Sequence, residues 1–383
     1  MGSRRLSRRD FLRLALVGTV AGCAPEIEFP AETRTSTAPP TVASIATPVP
    51  TESPPPTATS TATVSASETA VLTETPLPTK ETAATADPTT EPVTSAPGRV
   101  VQVRHGGIWE EDRLSPLALK EMLDAGVAAL TGVADPQQGW SALFSPGERV
   151  ALKVNTIAGS SYWTHQALAL ALAERLQAAG IEADRIVVFD RNSQELEAAG
   201  YTLNRDGPGV RCYGTDGDYR EGWTLLDTGI GLSEILLGCD VLINVPLLKS
   251  HGISGMSFAL KNHYGTLDRP GHFHAPRIEQ ALGELNALPP IADRTRLIVG
   301  DALSICTRGW YDAVVGDAIL MSTDPVAHDA VGLELLAEAV EGEGGNAAAA
   351  RGKSSAWLAH AAEIGLGVAD LAQIERLGIE LGV

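Results

Sequence analysis

Cysteine is scarce in this chain. Four stand in 383 residues, at Cys23, Cys212, Cys239 and Cys306, and no two form a C-x-x-C pair. A ferredoxin-type iron–sulfur cluster or a cysteine-rich zinc site therefore has no ligand set, and no iron–sulfur cluster is expected. Positive charge is also in short supply: Lys and Arg number 29 against 47 Asp and Glu, for a formal net charge of −18. No basic stripe, aromatic-rich motif or zinc-finger spacing is present, which argues against a nucleic-acid partner. The apolar stretch at residues 14–22 falls far short of the roughly 20 residues a membrane-spanning helix needs. The G-x-x-x-x-G-K-[ST] order of a P-loop is absent.

What is present begins with an address. Ser7-Arg8-Arg9-Asp10-Phe11-Leu12-Arg13 has the twin-arginine pattern, and the short apolar stretch after it reads as the core of a signal peptide. Val20-Ala21-Gly22-Cys23 has the small-residue spacing of a bacterial lipoprotein cleavage site, with Cys23 as the lipidated residue. Residues 1–23 are thus expected to direct export of the folded chain by the twin-arginine route. Cys23 would then anchor it to the outer face of the cell membrane. Residues 24–98 are rich in Thr, Ser and Pro with hardly any large apolar side chain, so they cannot offset their ordering entropy and read as a disordered stalk. Extended at ~3.1 Å per residue, ~70 such residues would reach up to ~200 Å.

Residues 99–383 fit a single α/β domain. "RVALKVN" (149–155), "RIVVFD" (185–190), "DVLINVP" (240–246), "TRLIVGDA" (295–302) and "AILMST" (318–323) are strand-length apolar runs. They alternate with helical patterns such as "HQALALALAERLQAAG", for which Thr164 is the expected cap, and two further helices are expected within 352–378. Near-continuous apolar strands between helices indicate an open parallel or mixed sheet with helices on both faces. In such sheets ligands bind beyond the carboxyl ends of the strands. Those ends carry Lys153 and Asn155, Asp190 and Asn192, Asn244 and Lys249, Asp301, and Asp324.

The densest polar stretch is "NVPLLKSHGISGMSFALKNHYG" (244–265). Lys249 and His251 follow Pro246, and Gly252 and Gly255 precede an apolar run, 256–260, with helical character. A glycine-permissive loop opening a helix presents free backbone N–H groups, an anion cradle to which Lys249 adds a full charge. Lys261 and Asn262 follow about one turn later, where Lys261 is a plain helix end, a second cation, or a nucleophile if burial lowers its pKa. His272 and His274 alternate, so an extended backbone would bring both imidazoles to one divalent metal. Asp324-Pro325 is a standard helix start before it is anything else.

These pieces resemble the bacterial and archaeal family called domain of unknown function 362, over about 148–340. Its members commonly show an asparagine-valine-proline strand end, a lysine-threonine-histidine loop and an alanine-leucine-lysine-asparagine helix. The chain matches at Asn244, Pro246, Lys249, His251, Lys261 and Asn262, with Ser250 where threonine is more usual. Some relatives add an iron–sulfur domain that is not found here. The resemblance implies a site without naming its reaction.

The expectation is therefore an exported lipoprotein whose polar cleft acts on a small anion, a carboxylate or phosphate. Lys153, Asn155, Asn244, Lys249, Asp301 and Asp324 would bind it; His251 and His165 would do acid–base work; Lys261 and Asn262 would polarise the reacting group. A metal on His272 and His274 is an optional addition. The alternative is a surface lipoprotein that binds the same ligand without chemistry. One consequence concerns the anchor alone. Cys23→Ser should abolish incorporation of radiolabelled palmitate and move the protein from the membrane fraction to the soluble one; unchanged fractionation would refute the anchor.

Overall fold

The computed structural model describes residues 98–158, 162–308 and 312–382. The signal segment, Cys23 and the stalk up to residue 97 lie outside the described residues. In chain order the first strands are β1 (Arg99–His105), β2 (Trp109–Glu110), β3 (Arg113–Leu114), β4 (Val150–Lys153) and β5 (Ile186–Phe189). There follow β6 (Arg211–Cys212), β7 (Tyr219–Leu225), β8 (Thr228–Ser233), β9 (Val241–Asn244) and β10 (Leu247–His251). The last are β11 (Gly255–Ser257), β12 (Thr295–Cys306), β13 (Ala313–Ser322) and β14 (Glu375–Leu381).

The main sheet runs β14-β1-β13-β12-β9-β4-β5-β6, with β10 and β11 attached to β12. Strands β12, β9, β4, β5 and β6 are mutually parallel, and β13 lies antiparallel between β12 and β1. The mixed α/β sheet expected from the apolar runs is what forms. Side chains along each strand alternate between two cores. Val150 and Leu152 enter the core that holds Leu119, Leu123 and Leu172, while Ala151 enters the one that holds Leu282, Val331 and Trp357. Helices Pro116–Thr131 and Gln166–Ala178 supply the first core, and Ile278–Asn286, Pro325–Gly342 and Ala347–Glu363 the second. Both faces are dry, which is why the central strands carry no polar alternation.

Four local expectations give way. Residues 352–378 hold the end of one helix and the start of β14 rather than two helices, and β14 pairs in parallel with β1. Thr164 does not cap its helix; His165 occupies that position, and the Thr164 hydroxyl donates to the Val245 carbonyl at 2.8 Å. Asp301 is not a strand end. Strand β12 continues to Cys306 because β10 pairs with it beyond the point where β9 stops.

The fourth concerns the stretch 247–262. Lys249 and His251 sit on β10, not on an open loop, and β11 folds back against them through Gly255 at φ 80°. An added Cβ at Gly255 would stand 2.4 Å from the Ala350 carbonyl oxygen, so the hairpin lies against helix Ala347–Glu363. Only one helical turn follows, Ala259–Asn262, and its first N–H groups are not free. Asp329, buried on the neighbouring helix, accepts from Ala259 N at 2.8 Å and Leu260 N at 2.9 Å. A four-residue helix has no cooperative stability of its own. That carboxylate fixes the turn that carries Lys261 and Asn262, and it closes the anion cradle anticipated there.

Asp329→Ala should accordingly leave two buried N–H groups and the His328 Nδ1 without their acceptor or partner. At ~1–3 kcal/mol for each unsatisfied buried group, the loss should exceed about 3 kcal/mol in urea unfolding. A change under about 1 kcal/mol would refute the capping role.

Candidate active site

The carboxyl ends of β4, β5 and β9 converge on one buried ion pair. Lys153 Nζ lies 2.7 Å from Asp190 Oδ1, and both side chains are sealed from solvent. The lysine also donates to the Val154 carbonyl at 2.7 Å and to Asn262 Oδ1 at 3.3 Å. Asp190 Oδ2 accepts from Thr156 N and Oγ1 at 2.6 and 2.9 Å, and Oδ1 from Arg191 N at 2.8 Å. Burial alone would raise the Asp190 pKa, but the Lys153 charge and these donors hold it below the ordinary carboxylate range. Gly265 covers the pair so closely that a Cβ there would meet Lys153 Nζ and Asp190 Oδ1 at 2.6 Å. Lys153 is thus satisfied internally and is not an anion ligand.

An amide chain leads outward from this pair. Asn262 Nδ2 donates to the Lys153 carbonyl at 3.0 Å and to Asn244 Oδ1 at 2.8 Å. Asn244 Nδ2 donates to the Ala259 carbonyl at 2.9 Å and lies 3.2 Å from His263 Nε2. Asn262 Oδ1 also accepts from Asn155 Nδ2 at 3.2 Å, and Asn155 Oδ1 accepts from Lys249 Nζ at 2.9 Å. Asn244 and Asn262 are buried with their amides engaged, so they position neighbours rather than touch a ligand. Asn155, half-buried, is the link that faces outward.

Beyond it stand two lysines of a different kind. Lys249 and Lys261 are 2% and 7% exposed, yet among the described residues neither makes an ion pair with a carboxylate. Burial draws Lys249 down to about 8, and burial together with the Lys249 charge draws Lys261 down to about 7. Lys261 Nζ is 3.2 Å from His274 Nε2 and 4.0 Å from the centre of the Tyr264 ring. Such a cation–π contact offsets roughly 0.5–2 kcal/mol of the cost of an ammonium there. His274 Nδ1 donates to the Pro270 carbonyl at 3.1 Å, which leaves Nε2 as the acceptor toward Lys261.

The two histidines proposed for acid–base work differ sharply. His251 Nδ1 accepts from Ile253 N at 3.2 Å and Ser254 N at 3.1 Å, which places its proton on Nε2. Burial first, then the neighbouring Lys261, His274, Lys249 and Lys353, pull its pKa down to about 3. It stays neutral near pH 7 and offers a fixed N–H rather than a proton relay. His165 is held by a carboxylate instead. Asp301 Oδ2 accepts from both His165 N and Nδ1 at 2.8 Å, while Oδ1 accepts from Leu303 N at 3.1 Å. That arrangement leaves Nε2 as the basic nitrogen, 3.5 Å from Ser304 Oγ, with Trp109 edge-on at 5.8 Å. Asp301 therefore orients His165 and is itself fully buried rather than ligand-facing. Lys249 is in register with Cys306 on β12, whose thiol burial pushes up to about 12, so this cysteine is inert.

Two expectations fall outside this group. Asp324 follows β13, the antiparallel strand, and so lies at the opposite edge of the sheet. Its carboxylate is taken by Val326 N, Ala327 N and Val368 N at 2.8–2.9 Å. His272 and His274 diverge because Pro270–Phe273 is a 3-10 turn rather than an extended segment. His272 is exposed beside Thr228 at 3.3 Å, whereas His274 turns inward to Lys261. Among the described residues no cluster of three or more His, Cys, Asp or Glu side chains is arranged to hold a metal ion. A separate cleft of about 550 Å³ opens beside Arg191, Asn192, Asp216, Tyr219, Leu267 and Asp268 and contains none of the lysines.

Sequence reasoning also passed over several members. Tyr264, three residues after Lys261, is at the spacing that brings helical neighbours together. Asp329 stands in the sequence as a lone acid in the apolar face of "DPVAHDAVG", and His274 meets a lysine rather than a metal.

A family model described as Domain of unknown function (DUF362) matches residues 150–334, which supports placing the chain in that family. No curated protein matches the chain. Among solved structures, the lactate racemase apoprotein from Thermoanaerobacterium thermosaccharolyticum is similar at 12% identity and a TM-score of 0.34. The match covers 53% of this chain and 52% of that one. A protein from Thermotoga maritima is similar at 14% identity and a TM-score of 0.40, over 60% of each chain. At these scores neither likeness bears on the chemistry of the site.

The depressed Lys261 gives a pH signature. Between about 7 in the fold and the ordinary 10.5, the folded state holds fewer protons than the unfolded one. The lysine's destabilising contribution is thus full below pH 7 and fades as pH rises toward 10.5. Lys261→Met should gain relative stability at low pH, with the wild-type deficit shrinking by on the order of 4 kcal/mol between pH 6.5 and pH 10. A difference in urea stability that does not vary with pH would refute the shift.

Proposed function

We propose that the chain is an enzyme of acid–base chemistry on a small carboxylate or phosphate, bound where Lys249, Lys261 and Asn155 meet. The observation that carries this reading is the pair of buried lysines that have no carboxylate partner among the described residues. Two buried ammonium groups near one another are costly, and proteins do not retain them without compensation. A bound anion supplies it, and restores their protonation. Lys249, steadied by Asn155, would hold one end of the anion. The His251 N–H would meet developing negative charge on the reacting group. His165, oriented by Asp301, would take and return the proton. A receptor that only binds would have no use for an imidazole held by a buried carboxylate with its other nitrogen left basic, which is why catalysis is the preferred reading.

Export by the twin-arginine route and anchoring through Cys23 belong to the same proposal. The reaction would then take place outside the membrane, on a solute reaching the protein there.

Calorimetric titration with inorganic phosphate at about pH 8, in buffers of different ionisation enthalpy, should show one site and net proton uptake. Lys249→Met should weaken binding at least tenfold. Proton–deuterium exchange into a panel of small hydroxy and oxo acids, followed by NMR, should fall on the order of 100-fold in His165→Asn with binding retained. Binding that survives Lys249→Met would sink the anion site; binding without any exchange in the wild type would favour the receptor.

A further inference from the structure

Lys249 and Lys261 share a site but not a geometry, and the difference assigns them separate tasks. Lys249 ends an amide chain and donates to Asn155 Oδ1 at 2.9 Å, an arrangement that suits a cation holding an anion. Lys261 meets an acceptor imidazole instead. Its Nζ donates toward His274 Nε2 at 3.2 Å, and that imidazole is held in the accepting form because Nδ1 donates to the Pro270 carbonyl. The Tyr264 ring packs 4.0 Å from the same nitrogen, with its hydroxyl already engaged by the Phe273 carbonyl at 2.6 Å. Lys261 is 7% exposed, on a helical turn clamped from behind by Asp329. The contrast with Lys153 is direct, since that lysine is held by the Asp190 carboxylate at 2.7 Å.

An amine that is sequestered from water, not neutralised by a carboxylate and hydrogen-bonded to a basic nitrogen is placed to react as a nucleophile. Resting on the anion-site reading above, we infer that Lys261 forms a Schiff base with a small carbonyl-bearing anion, such as a 2-oxo acid, whose charge Lys249 holds. The step balances without any oxidant or reductant. The neutral Lys261 nitrogen attacks the carbonyl carbon, a C–N bond forms, and the carbonyl π pair moves to oxygen. One proton passes from nitrogen through His274 Nε2 to that alkoxide, giving a carbinolamine. The remaining N–H proton follows the same route to the hydroxyl as the C–O bond breaks, so water departs and the imine is left. The imine withdraws electrons from the adjacent carbon, which then gives up a proton more readily. Lys261 is in this sense a catalytic residue, and His274 moves its proton.

The test uses the purified full chain with pyruvate and sodium cyanoborohydride near pH 7.5, read by peptide mass spectrometry. Lys261 should carry the reduced adduct at least tenfold faster than the exposed Lys353, and inorganic phosphate should protect it. Lys261→Arg and Lys261→Met, each checked for an unchanged circular dichroism spectrum and a cooperative melt, should lose the fast adduct. Lys249→Met should slow labelling at Lys261 at least tenfold without abolishing it. Labelling that follows surface exposure, or persists in the Lys261 variants, overturns the inference. Phosphate binding with Lys261 unlabelled overturns the imine and leaves the anion site standing. Neither binding nor labelling removes both.

Discussion

The site is organised around the buried Lys153–Asp190 pair. Placing two charges out of water costs several kcal/mol each, which their attraction offsets only where geometry is good and the remaining hydrogen-bonding capacity is filled. Here it is filled: Asp190 draws donors from Thr156 and Arg191, and Lys153 reaches the Val154 carbonyl and Asn262. The pair joins the ends of β4 and β5 to the turn Ala259–Asn262, three segments far apart in sequence. Removing one partner of such a pair costs ~3–5 kcal/mol, so the edge of the sheet and the turn move together or not at all.

From that pair outward the electrostatic environment changes step by step. Lys153 has a carboxylate, Lys249 an amide oxygen, and Lys261 an imidazole nitrogen. Each partner neutralises less than the one before it. The histidines also differ, with Asp301 fixing the orientation of His165 while burial and nearby cations keep His251 neutral. A chain of net charge −18 thus encloses a local surplus of positive groups. An anionic solute would be repelled at long range and held at short range, and screening over about 10 Å at 0.1 M salt confines the repulsion.

How much of this could be read beforehand follows from what apolar periodicity encodes. The central strands announced themselves because both faces are dry, and the parallel order then directed attention to their carboxyl ends. That order points to Lys249, while His251 and Lys261 stand out through the polar density of 244–265. Which of them touch a ligand was not readable, because Lys153 and Lys249 differ only in whether Asp190 or Asn155 faces them, a matter of register across separate strands. Asp324 was misplaced for a related reason: an apolar run does not reveal the direction of its strand, and β13 is antiparallel. The glycine-rich segment 252–257 suggested a loop opening a helix, yet a hairpin forms because the helix Ala347–Glu363, a hundred residues later, receives it through Ser354 and Trp357. The resemblance to the family located the block without assigning roles inside it.

The use of amides rather than acids along the chain Asn244–Asn262–Asn155 has a physical reason. Lys249 must be oriented, since a flexible four-carbon stem loses rotamer freedom when it is fixed. A carboxylate at position 155 would orient it more strongly, but at 2.9 Å it would also neutralise it, as Asp190 does Lys153. An amide oxygen supplies direction through a neutral hydrogen bond of ~0.5–1.5 kcal/mol and leaves the charge unmet. The Asn262 amide works the same way one link further in, accepting from Lys153 on one side and Asn155 on the other. Oriented but uncompensated charge is unfavourable inside a fold. The cost held at Lys249 and Lys261 is therefore what the anion proposed above would relieve.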